Sequence, residues 1–445
     1  MSTASRKNFS IEAALLDAES RFAARHPTSQ KMIERARQFL PGGNTRSVLF
    51  FKPFPFVVAR SAGCKIWDID GNTYVDFLGE YTAGLFGHSD PTIKSAIIKA
   101  VENGWVHGGH IEAESVLAEV LCNRFPSIES IRFCNSGTEA NLMALVTARC
   151  FTGRSKIMPF TGGYHGGVLL FKHGPAPQNA PFPIVLGSYN ETEATLSQIS
   201  ANASDLAAVI IEPMQGSGGC IPADPEFLKA IRNACTKHGI VLIYDEVMTS
   251  RLAPGGLQEA LEILPDITTL GKYIGGGASF GAFGGRKDIM SLYDPFRPDA
   301  LAHAGTFNNN AITMSAAVAA MKVYTPDKAR TFNAAGDELR ARLNQVAQRS
   351  KLPIQFTGRG SMMNIHFTST AIRSAKDADA SSSAARALFH MEMLEKGQYC
   401  ARRGMINLSL PMTKQEHDGF VTAASAFFEQ NARLLAHLSP TSLTS

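Results

Sequence analysis

From about residue 85 to residue 325, short apolar runs of strand character alternate with longer runs of helical character. I-R-F-C at 131–134 leads into T-E-A-N-L-M-A-L-V-T-A-R, A-A-V-I-I-E-P at 207–213 leads into P-E-F-L-K-A-I-R-N-A-C, and I-V-L-I-Y-D-E follows at 240–246. A strand that returns to its sheet through a helix lies parallel to its predecessor, so this alternation predicts an α/β fold with a mainly parallel sheet covered by helices. Such sheets take ligands outside the carboxyl ends of their strands.

The flanks read differently. Between Ile11 and Leu40 the apolar residues Leu15, Leu16, Phe22, Met32, Ile33 and Leu40 predict two helices broken at His26-Pro27, with Thr28 or Ser29 available as the second cap and Pro41-Gly42-Gly43 as the stop. The segment from Phe54 to Phe77, folded about Asp70-Gly71-Asn72, reads as a small antiparallel unit. After residue 326, helical patterns mix with the apolar runs S-M-M-N-I-H-F and M-I-N-L-S-L-P, which predicts a second, α+β lobe. The expected division is 1–84 and 326–445 in a smaller domain and 85–325 in a large one. A-D-A-S-S-S-A at 378–384 reads as a surface loop, and the tail after Leu438 as disordered.

Charge excludes several functions. The 43 basic and 39 acidic residues are mixed along the chain and leave a net charge of +4, with no basic block for nucleic acid or anionic lipid. The charge-free stretch from Tyr273 to Gly285 is too short to span a membrane. M-S-T-A-S-R-K-N-F-S lacks the apolar core of a secretory signal, and the seven cysteines are scattered without a C-x-x-C pair, so a reducing, cytoplasmic setting is expected. His107-Gly108-Gly109-His110 has no Glu after its first imidazole and no evident third ligand, so no metal site is expected. The glycine runs at 275–277 and 284–285 do not form G-x-G-x-x-G after a strand, which speaks against a nicotinamide cofactor.

Three features carry chemistry. Asn135-Ser136-Gly137-Thr138-Glu139-Ala140-Asn141 sits where a strand passes into a helix, and free N–H groups and hydroxyls at a helix start suit a phosphate, although Ser136 or Thr138 could equally be a plain cap. Asp245-Glu246 ends a buried-strand run, where a carboxylate can pair with a protonated pyridine nitrogen. Lys272, in the glycine-lined stretch Thr269-Leu270-Gly271-Lys272-Tyr273-Ile274, can form an imine with an aldehyde and shuttle protons. Singly, a capping aspartate and a surface lysine are equally open readings.

With P-G-G-N-T-R at 41–46, G-G-Y-H-G at 162–166, E-P-M-Q-G at 212–216, D-E-V-M-T at 245–249, L-G-K-Y-I-G-G-G at 270–277, G-A-F-G-G-R at 281–286 and H-A-G-T-F-N-N-N at 303–310, the chain resembles the fold-type I, class III aminotransferases over nearly its whole length. The closest branch holds glutamate-1-semialdehyde aminomutase and the β-amino-acid (β-phenylalanine type) aminotransferases. The resemblance implies a sheet of the seven-stranded type, with pyridoxal 5'-phosphate held by Lys272 as a Schiff base. It gives Asp245 the pyridinium nitrogen, Ser136, Gly137 and Thr138 the phosphate, and Tyr164 the ring face with His165 beside it. Glu212 and Gln215 fall at strand ends near the cofactor, as ligands or as loop braces. Thr306 matches a residue reaching the phosphate of a neighbouring subunit, which implies a homodimer with shared sites.

Arg46 and Arg403 match the arginines taken to bind the carboxylates of donor and acceptor in the β-amino-acid branch, with Arg402 next door leaving the second position open by one residue, and either arginine could instead be a surface ion-pair partner. Aminomutases usually read V-N-S-P-V-R-A-F, T-G-F-R and G-T-L-S-G-N-P where this chain has N-T-R-S-V-L-F, T-S-R-L-A-P and G-T-F-N-N-N, and tend to carry an acid near Arg403. The expectation is therefore transfer of an amino group from an aryl or alkyl β-amino acid to an α-keto acid such as 2-oxoglutarate or pyruvate by a ping-pong route, with an aminomutase second and a non-catalytic scaffold third. Phe50, Phe51, Tyr81 and Phe86 offer aromatic surface for the donor's side chain, or core.

Overall fold

The computed structural model describes residues 10–438, so the N-terminal decapeptide save Ser10 and the tail after Leu438 lie outside the described residues. Its centre is a six-stranded sheet in the order Ser130–Cys134, Gly281–Gly285, Ile267–Gly271, Val241–Asp245, Leu206–Ile211, Lys156–Met158. Neighbouring strands run parallel except Gly281–Gly285, which is antiparallel to both of its neighbours. The glycines of G-A-F-G-G make that insertion possible, since a Cβ on Gly281 would lie 2.2 Å from the Ser136 carbonyl.

A seventh position exists without a full strand. Residues 183–187 run parallel to the Lys156–Met158 edge, with Val185 N–H donating to the Ile157 carbonyl at 2.9 Å and Gly187 N–H to that of Pro159 at 2.8 Å. Pro181 and Pro183 supply no N–H, which interrupts the ladder and leaves six strands instead of seven.

The strands Leu206–Ile211, Val241–Asp245 and Ile267–Gly271 are buried on both faces, and from Ala208 on the first two alternate between two apolar clusters. Ala208, Ile210, Val241 and Ile243 pack under Ala144, Leu145 and Ala148 of the helix Gly137–Thr152. Val209, Ile211, Leu242 and Tyr244 pack under Phe227, Leu228, Ile231 and Cys235 of the helix Pro225–His238. Each such aliphatic side chain contributes about 1.5–3 kcal/mol on leaving water, so the register that aims the strand ends is held by many independent contacts.

Both chain flanks meet in one further cluster, in which Ala14, Ala18, Phe22, Phe54 and Phe77 pack with Leu343, Phe389, Phe420 and Phe427. The strands Val58–Ala62, Lys65–Asp68 and Thr73–Asp76 form the expected antiparallel unit, joined in parallel by Gln398–Tyr399. The helix break at His26-Pro27 is present, but neither Thr28 nor Ser29 is the cap. Asp70 reaches back from the turn 42 residues on, accepting from Thr28 N–H at 2.7 Å and Ser29 N–H at 3.0 Å. The second helix ends at Ala36, short of Leu40. Residues 378–384 are not a surface loop: a helix ends at Asp379, another begins at Ser383, and buried Ser381 accepts from Phe367 N–H at 2.7 Å between them. No described helix is long and apolar enough to cross a membrane.

Candidate active site

Asp245 and Glu246 follow one another out of the same strand, and the period of two sends them in opposite directions. Asp245 is 4% exposed, and its Oδ2 accepts from His165 Nδ1 and from Asn141 Nδ2, both at 2.8 Å, while Oδ1 accepts from Val247 N–H at 3.0 Å. An ionised carboxylate can only accept, so Nδ1 carries the imidazole proton. Burial disfavours the His165 cation, but the hydrogen bond to Asp245 and the charges of Asp245 and Glu212 outweigh it and raise the pKa above the usual histidine range. Glu246 turns into the core and caps the helix Gly256–Leu261, accepting from Leu257 N–H at 2.7 Å and Gln258 N–H at 3.0 Å.

Beside this pair, Asn141 also donates to the His165 carbonyl and accepts from Thr269 Oγ1 at 2.7 Å, tying helix start, G-Y-H-G turn and adjacent strand to the one carboxylate. Glu212 follows the next strand, where its two oxygens accept from Tyr164 N–H and Gly216 N–H, each at 3.1 Å. Burial, reinforced by the Asp245 charge, pushes the Glu212 carboxyl well up against the opposing pull of His165 and those amides. Gln215 donates to the Thr161 carbonyl at 2.8 Å, which is a bracing contact.

Lys272 begins the turn that closes the strand Ile267–Gly271, at φ +53. Its amine donates to the Tyr81 carbonyl at 2.7 Å. Burial first, and the Arg403 charge second, pull its pKa down to about 7 against the opposing charges of Asp245, Glu212 and Glu80, so much of the amine is neutral near pH 7. The accepting carbonyl belongs to an unusual segment, because Gly79, Glu80, Tyr81 and Thr82 are all left-handed, at φ +53, +50, +49 and +82. Each non-glycine residue there costs about 1–2 kcal/mol, and the surroundings fix the run at both ends. Asp76 accepts from the N–H groups of Leu78 and Gly79 at 3.0 Å, and Arg251 Nη1 donates to the Thr82 carbonyl at 3.2 Å.

The helix Gly137–Thr152 starts against the same strand ends, where Gly137 leaves no room for a Cβ, which would meet Val247 Cγ1 at 2.8 Å. Ser136 accepts from Glu139 N–H at 3.1 Å, so the capping reading is present, while the amides of Gly137 and Thr138 have no partner among the described residues. Thr138 Oγ1 accepts from Gly167 N–H at 3.2 Å, which places the G-Y-H-G turn over the helix start. Tyr164 is 36% exposed beside it.

The arginines separate cleanly. Arg402 is held by Glu19 at 3.1 Å and by the Lys52 carbonyl at 3.1 Å, away from the strand ends. Arg403 lies 4.6 Å over the Tyr81 ring, donates to Ser217 Oγ at 2.9 Å, and has a buried Nε–H without a partner among the described residues. Arg46 is half exposed and paired with Glu80. Thr306 is exposed, in a turn tied to the helix start by Asn135 Nδ2 donating to Asn308 Oδ1 at 2.9 Å. Of the four aromatic residues, Phe51 and Phe86 are core, packed on His390 and near Tyr273, Phe50 is 46% exposed, and Tyr81 alone joins the site.

Glu80, Asn141, Ser217 and Arg251 were not singled out from the sequence for these contacts. Asn141 closes the N-S-G-T-E-A-N motif, one helical turn after Gly137, and that spacing was its signal.

The donor set suits pyridoxal phosphate: a largely neutral amine, a buried carboxylate stiffened by three donors, and free amides at a helix start. The class-III aminotransferase family pattern matches residues 51–419. A beta-phenylalanine transaminase of Variovorax paradoxus is 49% identical over 96% of this chain and 98% of its own. The crystal structure of a beta-phenylalanine aminotransferase from Variovorax paradoxus superposes with a TM-score of 0.94 at 48% identity, covering 96% of this chain and 99% of that one. A solved transaminase with PLP bound gives 0.84 at 31% identity, covering 92% and 98%. A glutamate-1-semialdehyde 2,1-aminomutase of Opitutus terrae is 39% identical over 84% of this chain and 92% of its own. The chain belongs to the class-III aminotransferase family and is a pyridoxal-phosphate-dependent aminotransferase, moving an amino group between a small amino donor and a keto acid.

Proposed function

We propose that the donor is a β-amino acid with an aryl or alkyl side chain, that an α-keto acid such as 2-oxoglutarate or pyruvate takes the nitrogen, and that the two half-reactions alternate. The observation that carries this is a pair of guanidinium groups flanking one turn, Arg46 on Glu80 and Arg403 on Tyr81, with Lys272 on the carbonyl between them. A β-amino acid carries its carboxylate one carbon further from the amine than an α-amino acid does, and a second, differently placed cation answers that need. The Variovorax relative named for β-phenylalanine supports the same donor class.

In this reading the cofactor supplies an electron sink for the carbon that bears the amine. Lys272 would hold it covalently and would move the proton at that carbon. Asp245, which accepts from three donors, would pair with the ring nitrogen, with His165 fixing its orientation. Ser136, Gly137 and Thr138 would hold the phosphate and Tyr164 would cover the ring, while Glu212 and Gln215 brace the surrounding loops. Exposed Thr306 and the 60%-exposed Phe307 beside it suit a residue that completes the site of a second copy, so the working unit is a homodimer.

The direct test is the visible absorbance of the cofactor-loaded protein. β-Phenylalanine is expected to bleach it and 2-oxoglutarate to restore it; a band that ignores β-amino acids and answers a δ-amino acid would move the assignment to the aminomutase reaction. Arg46→Ala is expected to raise KM for β-phenylalanine by at least about tenfold, the loss of one charged hydrogen bond, while KM for 1-phenylethylamine, which has no carboxylate, moves far less. Equal changes would remove Arg46 from the carboxylate site.

Cofactor uptake has a pH signature. With Lys272 titrating at about 7, only the neutral amine reacts with an aldehyde, so the reconstitution rate should climb as pH rises through that value and level off above it. Stopped-flow absorbance checks this, and a profile still climbing at pH 9 would contradict a depressed amine.

A further inference from the structure

We infer that Glu80 is a specificity-determining residue: its carboxylate occupies on Arg46 the place that the donor's carboxylate takes, so an acid binds by exchanging one carboxylate for another. The inference rests on the proposed role of Arg46.

Three observations converge on Glu80. First, its backbone is not free to choose another direction. Glu80 sits at φ +50 in the left-handed run, which is pinned before it by Asp76 and by Asn407 Nδ2 on the Leu78 carbonyl at 2.8 Å, and after it by Arg251 on Thr82. A glutamate held in so unfavourable a conformation is aimed, and its target is the Arg46 guanidinium. Second, the two side chains retain 45% and 50% of their surface, so the pair is open to a ligand arriving from solvent and neither charge is locked in the core. Third, the two candidate carboxylate cations are unequal. Arg403 meets a hydroxyl and an aromatic face, and no carboxylate is paired with it among the described residues, whereas Arg46 already has one.

The consequence is a graded site. An amine without a carboxylate meets a neutral pair at Arg46 in place of a bare cation, so it is not strongly excluded. A β-amino acid gains only the difference between its own carboxylate and that of Glu80. When the keto product leaves, Glu80 returns, and the departing acid is not retained by an unpaired guanidinium. An exposed ion pair of this kind is a weak competitor, which fixes the size of the effect.

The test is Glu80→Gln, which keeps length, shape and the strained backbone but removes the charge. The expected result is a fall of about two- to fivefold in KM for β-phenylalanine, falling on KM more than on kcat, with no comparable fall for 1-phenylethylamine. The difference from wild type should shrink as salt is raised, and Glu80→Gln should have no selective effect in an Arg46→Ala background, where there is no guanidinium to release. An unchanged or raised KM for β-phenylalanine in Glu80→Gln overturns the inference, as does a fall that persists without Arg46. Arg46→Ala measured alongside separates the two ideas. If it raises KM for acid and amine alike, the carboxylate role of Arg46 fails. If it is selective for the acid and Glu80→Gln is silent, only the inference about Glu80 fails.

Discussion

Lys272→Ala should lose both half-reactions, with single-turnover rates down by more than about 10³-fold, at the upper end of what one general base contributes. In the proposed reaction the amine has two tasks, holding the cofactor and moving the proton. Among the described residues it is the one lysine amine held on the left-handed turn, on the Tyr81 carbonyl at 2.7 Å, and burial pulls its pKa down to about 7. The other groups there are otherwise engaged: Arg403 is held on Ser217 and the Tyr81 ring, and His165 is committed to Asp245 through Nδ1. The protein should still take up cofactor without covalent attachment, because the helix start and Asp245 are untouched. Rapid-quench measurement with β-phenylalanine, then with 2-oxoglutarate, reads each half separately. Near-normal turnover in either would remove Lys272 from the mechanism. Added methylamine restoring part of the rate would point to the proton-carrying task.

The second large effect falls on stability. Arg251 is fully buried with no carboxylate partner among the described residues, donating from Nη2 to the Leu408 carbonyl at 2.6 Å, from Nη1 to Thr82, and from Nε to Ser361 Oγ at 3.0 Å. Burial pulls its pKa down to about 10, which still leaves it charged at neutral pH. Arg251→Met would keep most of the volume and orphan two buried carbonyls and a hydroxyl, at about 1–3 kcal/mol each; a net loss of about 3–5 kcal/mol is expected after the relief of a desolvated charge. A shift of the denaturation midpoint in urea at constant slope checks it. A loss below about 1 kcal/mol would mean that water reaches those groups. Because Arg251 anchors Thr82, the loss should also loosen the run that presents the Tyr81 carbonyl to the Lys272 amine.

What the sequence made legible was whatever depends on local pattern. The alternation of strand and helix, the helix start at N-S-G-T, and the strand-end carboxylates need only periodicity and position, and the structure places them together. Contacts that close across hundreds of residues were not legible. Nothing near Thr28 says that Asp70 caps its helix. Arg402 and Arg403 are adjacent and identical in kind, and only the position of Glu19 on one side and Ser217 on the other parts them. The left-handed run at Gly79–Thr82 has no sequence mark beyond its glycine, since Glu, Tyr and Thr are residues that ordinarily avoid that backbone. Arg251 stands in the sequence only as one residue of T-S-R-L-A-P, and nothing local to it says that it anchors that run.

The divergence of Asp245 and Glu246 makes the strand Val241–Asp245 a ruler with no tolerance for error. Deleting a single residue anywhere along it would put the glutamate where Asp245 now meets His165 and Asn141, turn the aspartate into the core, and leave the helix that Glu246 anchors without its cap. Length changes here should therefore cost folding and chemistry at once, so that in a random insertion and deletion library this segment would stay blank while the exposed turn around Phe296 fills in.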